Sequence, residues 1–295
     1  MKIKAKNKAI LFLITSAFCF SLMNMFVRLS GDLPTFQKMF FRNSIAAIIA
    51  VIVLVKNKTP VRPSNMKNLP FLLLRTFFGL MGVFCNFYAV DRLLLSDASI
   101  LNKMSPFFVV IFSYFILKEK PTVTQILVVG GAFFGALFVI KPSFLNADLL
   151  PSIVGFLGGA FAGAAYACVR KLTLSGEHSA FVVFFFSTVS TLAVLPLTII
   201  YFEPMRFYQV VMLLLAGVSA AGGQFMITLA YKHAPSKEIS VYDFSQVIFA
   251  SILGFFVFSQ VPDVYSVIGY VIIVSMAVVS FMYSNGLLFF KRNNK

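Results

Sequence analysis

The chain has 295 residues, of which 59% are hydrophobic and only 12% are charged, and its mean hydropathy is +0.91. Because a soluble domain carries about 25% charged residues, this composition excludes a soluble enzyme and a disulfide-stabilised secreted domain. The net charge of +15 does not indicate a nucleic-acid partner, since the Lys and Arg residues lie mostly between apolar runs rather than along one face. The composition therefore predicts an integral membrane protein.

Ten stretches of the chain are long and apolar enough to cross a lipid bilayer as helices, which requires about 20 residues each. Turns of only a few residues, such as 118–120, join several of them and make consecutive helices antiparallel neighbours. The sequence thus predicts an all-α protein of ten transmembrane helices. The spans lie at residues 9–29, 35–55, 69–90, 97–117, 121–140, 150–170, 179–202, 207–231, 238–260 and 263–285.

The basic residues divide unevenly between the two sides of these spans. One side, which holds both termini, receives 17 of the 25 Lys and Arg residues, the other side receives 4, and 4 fall within spans. Cytoplasmic loops of membrane proteins carry the excess of Lys and Arg. We therefore predict a multi-pass protein of the inner or plasma membrane with both termini in the cytoplasm.

The ten spans separate into two groups of five, over residues 1–147 and 148–295. A shift of 140 residues places Ser96 on Ser236 and Ser105 on Ser245. Because five is an odd number, the second group enters the bilayer from the opposite side. The sequence predicts two inverted five-helix repeats, an arrangement that secondary transporters use for alternating access around a site near the midplane.

Lys103 and Asp243 are the strongest candidates for a functional site, because an ionisable residue at the centre of a membrane helix costs about 2.5–3.5 kcal/mol. Each lies six or seven residues into its span, and their separation equals the repeat offset of 140. Inversion places them on opposite sides of the midplane, each about 10 Å deep. We therefore expect a direct contact only if the Lys side chain reaches inward.

Three roles for this pair are open at the level of sequence. The residues could form a structural salt bridge that allows both to be buried. Alternatively, Lys103 binds a substrate carboxylate while Asp243 binds an amino or onium group, or Asp243 carries a proton. The roles are compatible if the substrate breaks a resting pair. In each case we expect one ammonium and one carboxylate to be the only deep charges of the pocket.

Further polar residues are candidates for the same substrate-binding pocket. Helical spacing places Gln246 on the face of Asp243, while Asn102 and Tyr242 flank the pair one position away. Single polar groups inside other spans could line the pocket or form helix–helix hydrogen bonds. These groups are Asn24 in span one, Asn86 in span three, Tyr166 in span six and Gln224 in span eight.

Charged residues near the span ends are expected to have gating or structural roles. We expect Arg42 to tie helix ends together, and Glu119, between two lysines, to form a structural or gating ion pair. Lys38, one turn before Arg42, is expected to extend to the bilayer surface. Two small-xxx-small motifs, which begin at Gly131 and Gly159, favour either close helix packing inside one subunit or a homodimer.

Spans two to five contain several short motifs. They are Phe41-Arg42-Asn43, Arg75-Thr76-Phe77-Phe78-Gly79, Asn86-Phe87-Tyr88-Ala89, Asp97-Ala98, Pro106-Phe107 with Glu119, and Gly130-Gly131. With these motifs nearly the whole chain resembles the EamA-type transporters of the drug/metabolite transporter superfamily. The second half departs from the pattern, with Gln246 where Pro106 would map and Ser259 or Gln260 where Glu119 would. The resemblance extends to members that move S-adenosylmethionine and amino acids.

The residue inventory disfavours other classes of function. The two histidines and three cysteines show no metal-ligand spacing, and no nucleotide-binding loop is present. We therefore expect no enzyme, no cofactor and no metal. A channel would require rings of charged residues or a filter of backbone carbonyls, and the sequence shows neither. We predict a secondary transporter of a small zwitterionic metabolite, such as an amino acid or derivative. The alternatives are transport of a purely cationic compound or a nucleobase, and a non-transport role as a scramblase or an accessory subunit.

Overall fold

The computed structural model describes residues 2–118, 121–140, 149–233 and 240–284, and this part of the chain forms a helix bundle. Glu119 and the predicted boundary between residues 147 and 148 lie outside the described residues. The helices are α1 (Lys2–Leu29), α2 (Thr35–Lys56), α3 (Leu69–Arg92), α4 (Leu95–Asn102), α5 (Ser105–Leu117), α6 (Val123–Ile140), α7 (Leu149–Leu174), α8 (Ser179–Ile200), α9 (Phe207–His233), α10 (Ser245–Phe258) and α11 (Val264–Ser284), with 3₁₀ helices at Met66–Asn68 and Ser240–Phe244.

The described helices agree with the membrane assignment. Nine helical segments in the described ranges are long and apolar enough to cross a bilayer, and the segment Tyr242–Phe258 is apolar but shorter. The chain is therefore a multi-pass membrane protein. The ninth span is shorter than its predicted range of 238–260, because its α-helix begins only at Ser245 and ends at Phe258.

Two spans contain a break that hydropathy does not reveal. The fourth consists of α4 and α5, with Pro106 in the first turn of α5. Proline lacks an N–H and clashes with the carbonyl four residues earlier, which belongs to Asn102, the last residue of α4. The ninth span begins as the 3₁₀ helix Ser240–Phe244 and continues as α10. Lys103 lies at the first break and Asp243 in the second, so both charges lie where a helix is interrupted.

Helices from the two halves pack against each other in matched pairs. α1 packs along α9 as α7 packs along α3, α2 packs against α8, and α6 packs against α11. The two broken spans meet through α4 and α10. Hydrogen bonds add to these contacts, since Ser16 Oγ donates to the Gly223 carbonyl (2.8 Å) and Ser21 Oγ donates to the Gln246 carbonyl (3.0 Å). The central part of the bundle is thus built jointly by both halves.

At one end of the bundle, called here the Arg28 end, the Arg28 guanidinium contacts two neighbouring helices. Its Nη1 donates to the carbonyl oxygens of Val90 (3.1 Å) and Leu93, where α3 ends. The guanidinium carbon also lies 5.1 Å from the centroid of the Phe258 ring. These contacts join the ends of α1, α3 and α10.

The opposite end, called here the Glu177 end, is joined by the Glu177 carboxylate in the turn between α7 and α8. Its Oε1 accepts hydrogen bonds from the Ser64 N–H (3.0 Å) and the Ser64 hydroxyl (2.9 Å). Its Oε2 accepts a hydrogen bond from Asn68 Nδ2 (2.9 Å). The carboxylate therefore holds the segment before α3 against the α7–α8 turn.

The two small-residue motifs are used for packing within the chain. A Cβ atom on Gly159 would lie 2.5 Å from the carbonyl oxygen of Leu101, in the last turn of α4. A Cβ atom on Gly131 would lie 2.5 Å from Met276 Sδ of α11. Real Cβ atoms do not approach other atoms so closely, so α7 can contact the α4–α5 break only because residue 159 is glycine. The homodimer stays a prediction.

We expect Gly159→Ala to lower the melting temperature, because the new methyl group collides with backbone atoms of α4. Gly130→Ala is the matched control, since no atom lies within 4 Å of its added Cβ and alanine is favoured over glycine in helices by about 1 kcal/mol. The control should therefore retain or raise the melting temperature. Thermal unfolding of both purified variants in detergent measures the difference, and equal melting temperatures would contradict this account of the packing.

Glu177 should make stability depend on pH. Burial raises the pKa of Glu177, but hydrogen bonds from Asn68, Ser64 and the His178 backbone outweigh burial and lower the pKa below its ordinary value of 4.5. Such a carboxylate stabilises the fold above its unfolded pKa, and the stabilisation is lost as the pH falls through the folded pKa. The melting-temperature advantage of wild type over Glu177→Gln should therefore be constant near neutral pH and shrink in acid. Glu203→Gln, at an exposed position, is the matched control. The account of Glu177 would be contradicted if the advantage of wild type grew in acid, or if Glu203→Gln lowered the melting temperature as much as Glu177→Gln.

Candidate functional site

The Lys103 ammonium and the Asp243 carboxylate form a direct ion pair where the two helix breaks meet. Lys103 Nζ lies 2.6 Å from Asp243 Oδ2, and the two residues are only 6% and 8% exposed. The Lys side chain thus reaches the acidic partner from the other half of the chain. The second carboxylate oxygen, Asp243 Oδ1, is buried and has no hydrogen-bond partner among the described residues.

Lys103 also borders a cavity midway along the helices. The cavity offers about 90 Å³ to the centres of water-sized molecules, which is several times the roughly 10–15 Å³ that a single water needs. Helices from both halves contribute to its wall, and its lining mixes aromatic rings, glycines and polar side chains. The polar lining residues are Asn24, Arg42, Arg75, Asn86, Asn102, Lys103, Tyr166, Gln224 and Gln246.

The structure therefore brings most of the predicted site residues together. Asn86 Nδ2 donates to Asn24 Oδ1 over 3.1 Å, which links α3 to α1 across the cavity wall. The remaining amide atoms of this pair, Asn24 Nδ2 and Asn86 Oδ1, are buried without a partner in the described part of the chain. Most buried polar atoms are hydrogen-bonded. The asparagine pair thus presents one free donor and one free acceptor beside the cavity.

Tyr242 is not brought to the cavity. Its ring packs edge-on against the Phe281 ring with centroids 6.3 Å apart, and the residue is 36% exposed. In a 3₁₀ helix, successive side chains point roughly 120° apart, so the backbone that directs Asp243 toward Lys103 directs Tyr242 elsewhere.

Two arginines contribute charges to the cavity that the Lys103–Asp243 pair does not predict. Arg42 of α2 and Arg75 of α3 line the cavity and are 4% and 7% exposed. Their guanidinium carbons lie 5.7 Å and 4.1 Å from the centroid of one ring, Phe186. Within the described residues neither arginine forms a salt bridge with a carboxylate, and the Nε atom of each has no hydrogen-bond partner.

The expectation that one ammonium and one carboxylate are the only deep charges is therefore wrong. Arg42 was expected to tie helix ends together, but its side chain lines the cavity and donates to Asn43 Oδ1 over 2.5 Å. The sequence motifs include Arg75 but predict no role for it. Its signal in the sequence was an uncompensated arginine six residues into an apolar span, with Gly79 one turn further along.

The prediction that Lys38 extends to the bilayer surface is also wrong. The residue is 1% exposed, and its Nζ lies 2.7 Å from both carboxylate oxygens of Asp91 in α3. An acidic partner on the neighbouring helix compensates the charge, so the ammonium has no need to reach the surface. This pair lies near the Arg28 end of the bundle.

A charged cavity enclosed by membrane-spanning helices from both halves defines a carrier of small solutes. The chain belongs to the EamA-like transporter family, whose model matches residues 7–141 and 150–282. The protein is therefore a transporter and not an enzyme, and it consists of two repeats of the family unit.

Named relatives are transporters as well. The chain is 33% identical over 270 residues to a pseudopaline exporter of Pseudomonas aeruginosa, which covers 91% of this chain and 94% of the relative. It is 26% identical to human solute carrier family 35 member G1 (92% of this chain, 80% of the relative). It is 23% identical to an S-adenosylmethionine uptake transporter of Rickettsia prowazekii (83% and 82%). A crystal structure of another protein shares the fold with a TM-score of 0.65 and a sequence identity of 16%. The match covers 94% of this chain and 98% of that chain.

We expect Lys38→Met to lower the melting temperature, because removal of the ammonium leaves the Asp91 carboxylate, which is only 19% exposed, without its salt-bridge partner. The double variant Lys38→Met with Asp91→Leu removes both charges and should recover most of the loss. Lys56→Met, on the exposed end of the same helix, is the control and should be neutral. A double variant no more stable than the single one would show that the two charges are not coupled.

Proposed function

We propose that this protein is a secondary transporter that moves a small zwitterionic metabolite, an amino acid or a derivative, through the central cavity. The observation that carries the proposal is the buried ion pair between Lys103, which lines the cavity, and Asp243, which lies behind it and whose Oδ1 has no hydrogen-bond partner among the described residues. One relative is named for S-adenosylmethionine uptake, and that compound belongs to this substrate class because it carries a carboxylate and an amino group.

Substrate binding on this proposal exchanges one buried ion pair for two. The ammonium of Lys103 binds a carboxylate of the substrate, and the carboxylate of Asp243 binds its amino group. Both protein charges stay compensated throughout, which avoids the cost of an isolated charge in the bilayer. The free amide atoms of Asn24 and Asn86 offer one further donor and one further acceptor.

Other polar lining residues would set the orientation of the bound molecule. Asn102 and Gln246 lie next to the two helix breaks, and Tyr166 and Gln224 contribute from α7 and α9. Small-molecule sites typically combine an apolar wall with a few convergent polar groups. We therefore retain Asn102, Gln246, Asn86, Asn24 and Tyr166 as substrate-binding residues.

We infer that access to the cavity alternates between two inverted five-helix repeats. The matched packing of α1 on α9 and of α7 on α3 supports a two-fold relation between the halves. The uneven distribution of Lys and Arg favours a cytoplasmic Glu177 end with both termini. The Lys38–Asp91 pair and the Arg28 contacts then form the closed gate on the outer side, and a relative named as an exporter supports outward movement.

Removal of either charge of the central pair should abolish transport. We expect Lys103→Ala and Asp243→Ala to lower the flux of amino acids or S-adenosylmethionine in proteoliposomes about tenfold or more, since a hydrogen bond to a charged group contributes about 1.5–3 kcal/mol. Lys56→Ala is the matched control and should leave the flux unchanged. Monodisperse elution of each variant establishes that it is folded. Unchanged flux in both variants would remove the pair from the mechanism.

The exchanged variant Lys103→Asp with Asp243→Lys separates a binding role from a structural one. If the pair only stabilises the fold, the exchange restores both folding and transport. If the pair binds the substrate, folding recovers while transport stays low, because the charges now face the wrong ends of the molecule. The ratio of flux to folded protein therefore measures the binding role alone.

A further inference from the structure

We propose that Arg42 and Arg75 form a carboxylate-binding site inside the transport cavity, so that the substrate carries at least two carboxylates together with its amino group. This inference rests on the proposed function and narrows its substrate class from a simple zwitterion to an amino-polycarboxylate. Its basis is the position of both arginines in the cavity wall and the lack of a carboxylate partner for either within the described residues.

The two guanidinium groups converge on one aromatic ring. Their carbon atoms lie 5.7 Å (Arg42) and 4.1 Å (Arg75) from the centroid of Phe186, and the ring face attracts each cation only modestly. Two like charges so close together in a membrane interior repel each other, whereas buried charges in proteins are normally paired. A bound anion between them would supply the missing compensation.

The available donors match a planar oxyanion. The guanidinium group presents its N–H donors as a fork that binds both oxygens of a carboxylate. Nε of Arg42 and Nε of Arg75 are both buried without a partner in the described structure. Each arginine therefore lines the cavity and keeps one buried donor unpaired.

Gly79 determines where the Arg75 guanidinium lies. A Cβ atom on Gly79 would lie 2.0 Å from Arg75 Nη1 and 2.8 Å from Cε2 of Phe186. The head of Arg75 thus occupies the space that a side chain at position 79 would fill. Because the nearest atom belongs to the tip of a flexible side chain, a methyl group there would displace the guanidinium while leaving the backbone in place.

Charge balance indicates how many carboxylates the substrate carries. The described lining and its direct partner contain three cations, Lys103, Arg42 and Arg75, and one carboxylate, Asp243. An ammonium bound to Asp243, one carboxylate bound to Lys103 and a second carboxylate shared by the two arginines would give every charge an opposite neighbour and would lower the net charge of the site from +2 to +1. A molecule with one carboxylate would leave the arginines uncompensated, and a purely cationic molecule would add to the repulsion.

The first test compares ligands on the wild-type protein in detergent, by thermal shift and by calorimetric titration. Four of the ligands are small amino acids that differ in side-chain charge: L-γ-carboxyglutamate, L-glutamate, L-glutamine and L-lysine. The fifth ligand, O-phospho-L-serine, carries a phosphate in place of a side-chain carboxylate. We expect L-γ-carboxyglutamate and L-glutamate to bind about tenfold or more tightly than L-glutamine. Glutamine or lysine binding as tightly as glutamate would overturn the proposal. Tighter binding of phosphoserine than of L-γ-carboxyglutamate would overturn the carboxylate assignment in favour of a phosphate.

The second test asks whether the arginines cause the preference. In Arg42→Gln and Arg75→Gln the preference for glutamate over glutamine should fall to about threefold or less. Arg62→Gln, in an exposed loop, is the charge-matched control and should keep it. If the two cavity variants fail to fold, Gly79→Ala keeps both arginines but displaces the Arg75 guanidinium and the edge of the Phe186 ring, and it should show the same loss. A preference that survives in Gly79→Ala or in the folded arginine variants would overturn the assignment.

The two proposals fail in different ways. If glutamine and glutamate bind equally, while transport still requires Lys103 and Asp243, the carboxylate site is overturned and the zwitterion transporter stands. If no ligand of the panel binds or crosses the membrane, the proposed function itself is overturned.

Discussion

The arrangement of the cavity depends on one interaction, the ion pair between Lys103 and Asp243. The pair joins the break between α4 and α5 to the 3₁₀ helix before α10, and so it connects the two halves at their least regular points. Broken helices at corresponding positions of two repeats are typical of substrate sites in transporters, because the interrupted backbone faces a cavity. A single charge at either break would be costly in the bilayer, so the two charges depend on each other.

The surplus of positive charge distinguishes this cavity from a simple zwitterion pocket. Arg42 and Arg75 share the ring of Phe186, and Arg42 also donates a hydrogen bond to the side-chain amide of Asn43. An aromatic ring and a neutral amide compensate a guanidinium less completely than a carboxylate does. The arginines are therefore the least satisfied charges in the cavity wall and the groups most in need of an anionic ligand.

Much of this structure could be predicted from the sequence, because a bilayer imposes simple requirements. Hydropathy predicts the number and length of the spans, and the count of Lys and Arg residues predicts which side they face. The repeat offset of 140 residues predicts that Lys103 and Asp243 occupy corresponding positions. The transporter family was also predicted correctly from its motifs. The same reasoning could not place the side chains of Tyr242 and Lys38, since one depends on a local 3₁₀ turn and the other on Asp91, a partner far away in the sequence.

The helix breaks were missed for a related reason. A hydropathy window averages over about 19 residues and does not register an interruption of two residues, such as the one between Asn102 and Ser105. Arg75 was undervalued because no acidic residue marks it in the sequence. Its position became meaningful only when the fold placed it beside Arg42 and over Phe186.

The two breaks are not mechanically alike. In the first half Pro106 has no N–H to donate, so α4 and α5 can never merge into one regular helix. In the second half Gln246 stands at the corresponding position and retains its N–H, so no missing donor prevents the 3₁₀ helix Ser240–Phe244 from rewinding into α10. The two repeats therefore place opposite charges at unlike breaks: the lysine lies where a proline interrupts the helix, and the aspartate lies in a segment whose backbone N–H donors are all present.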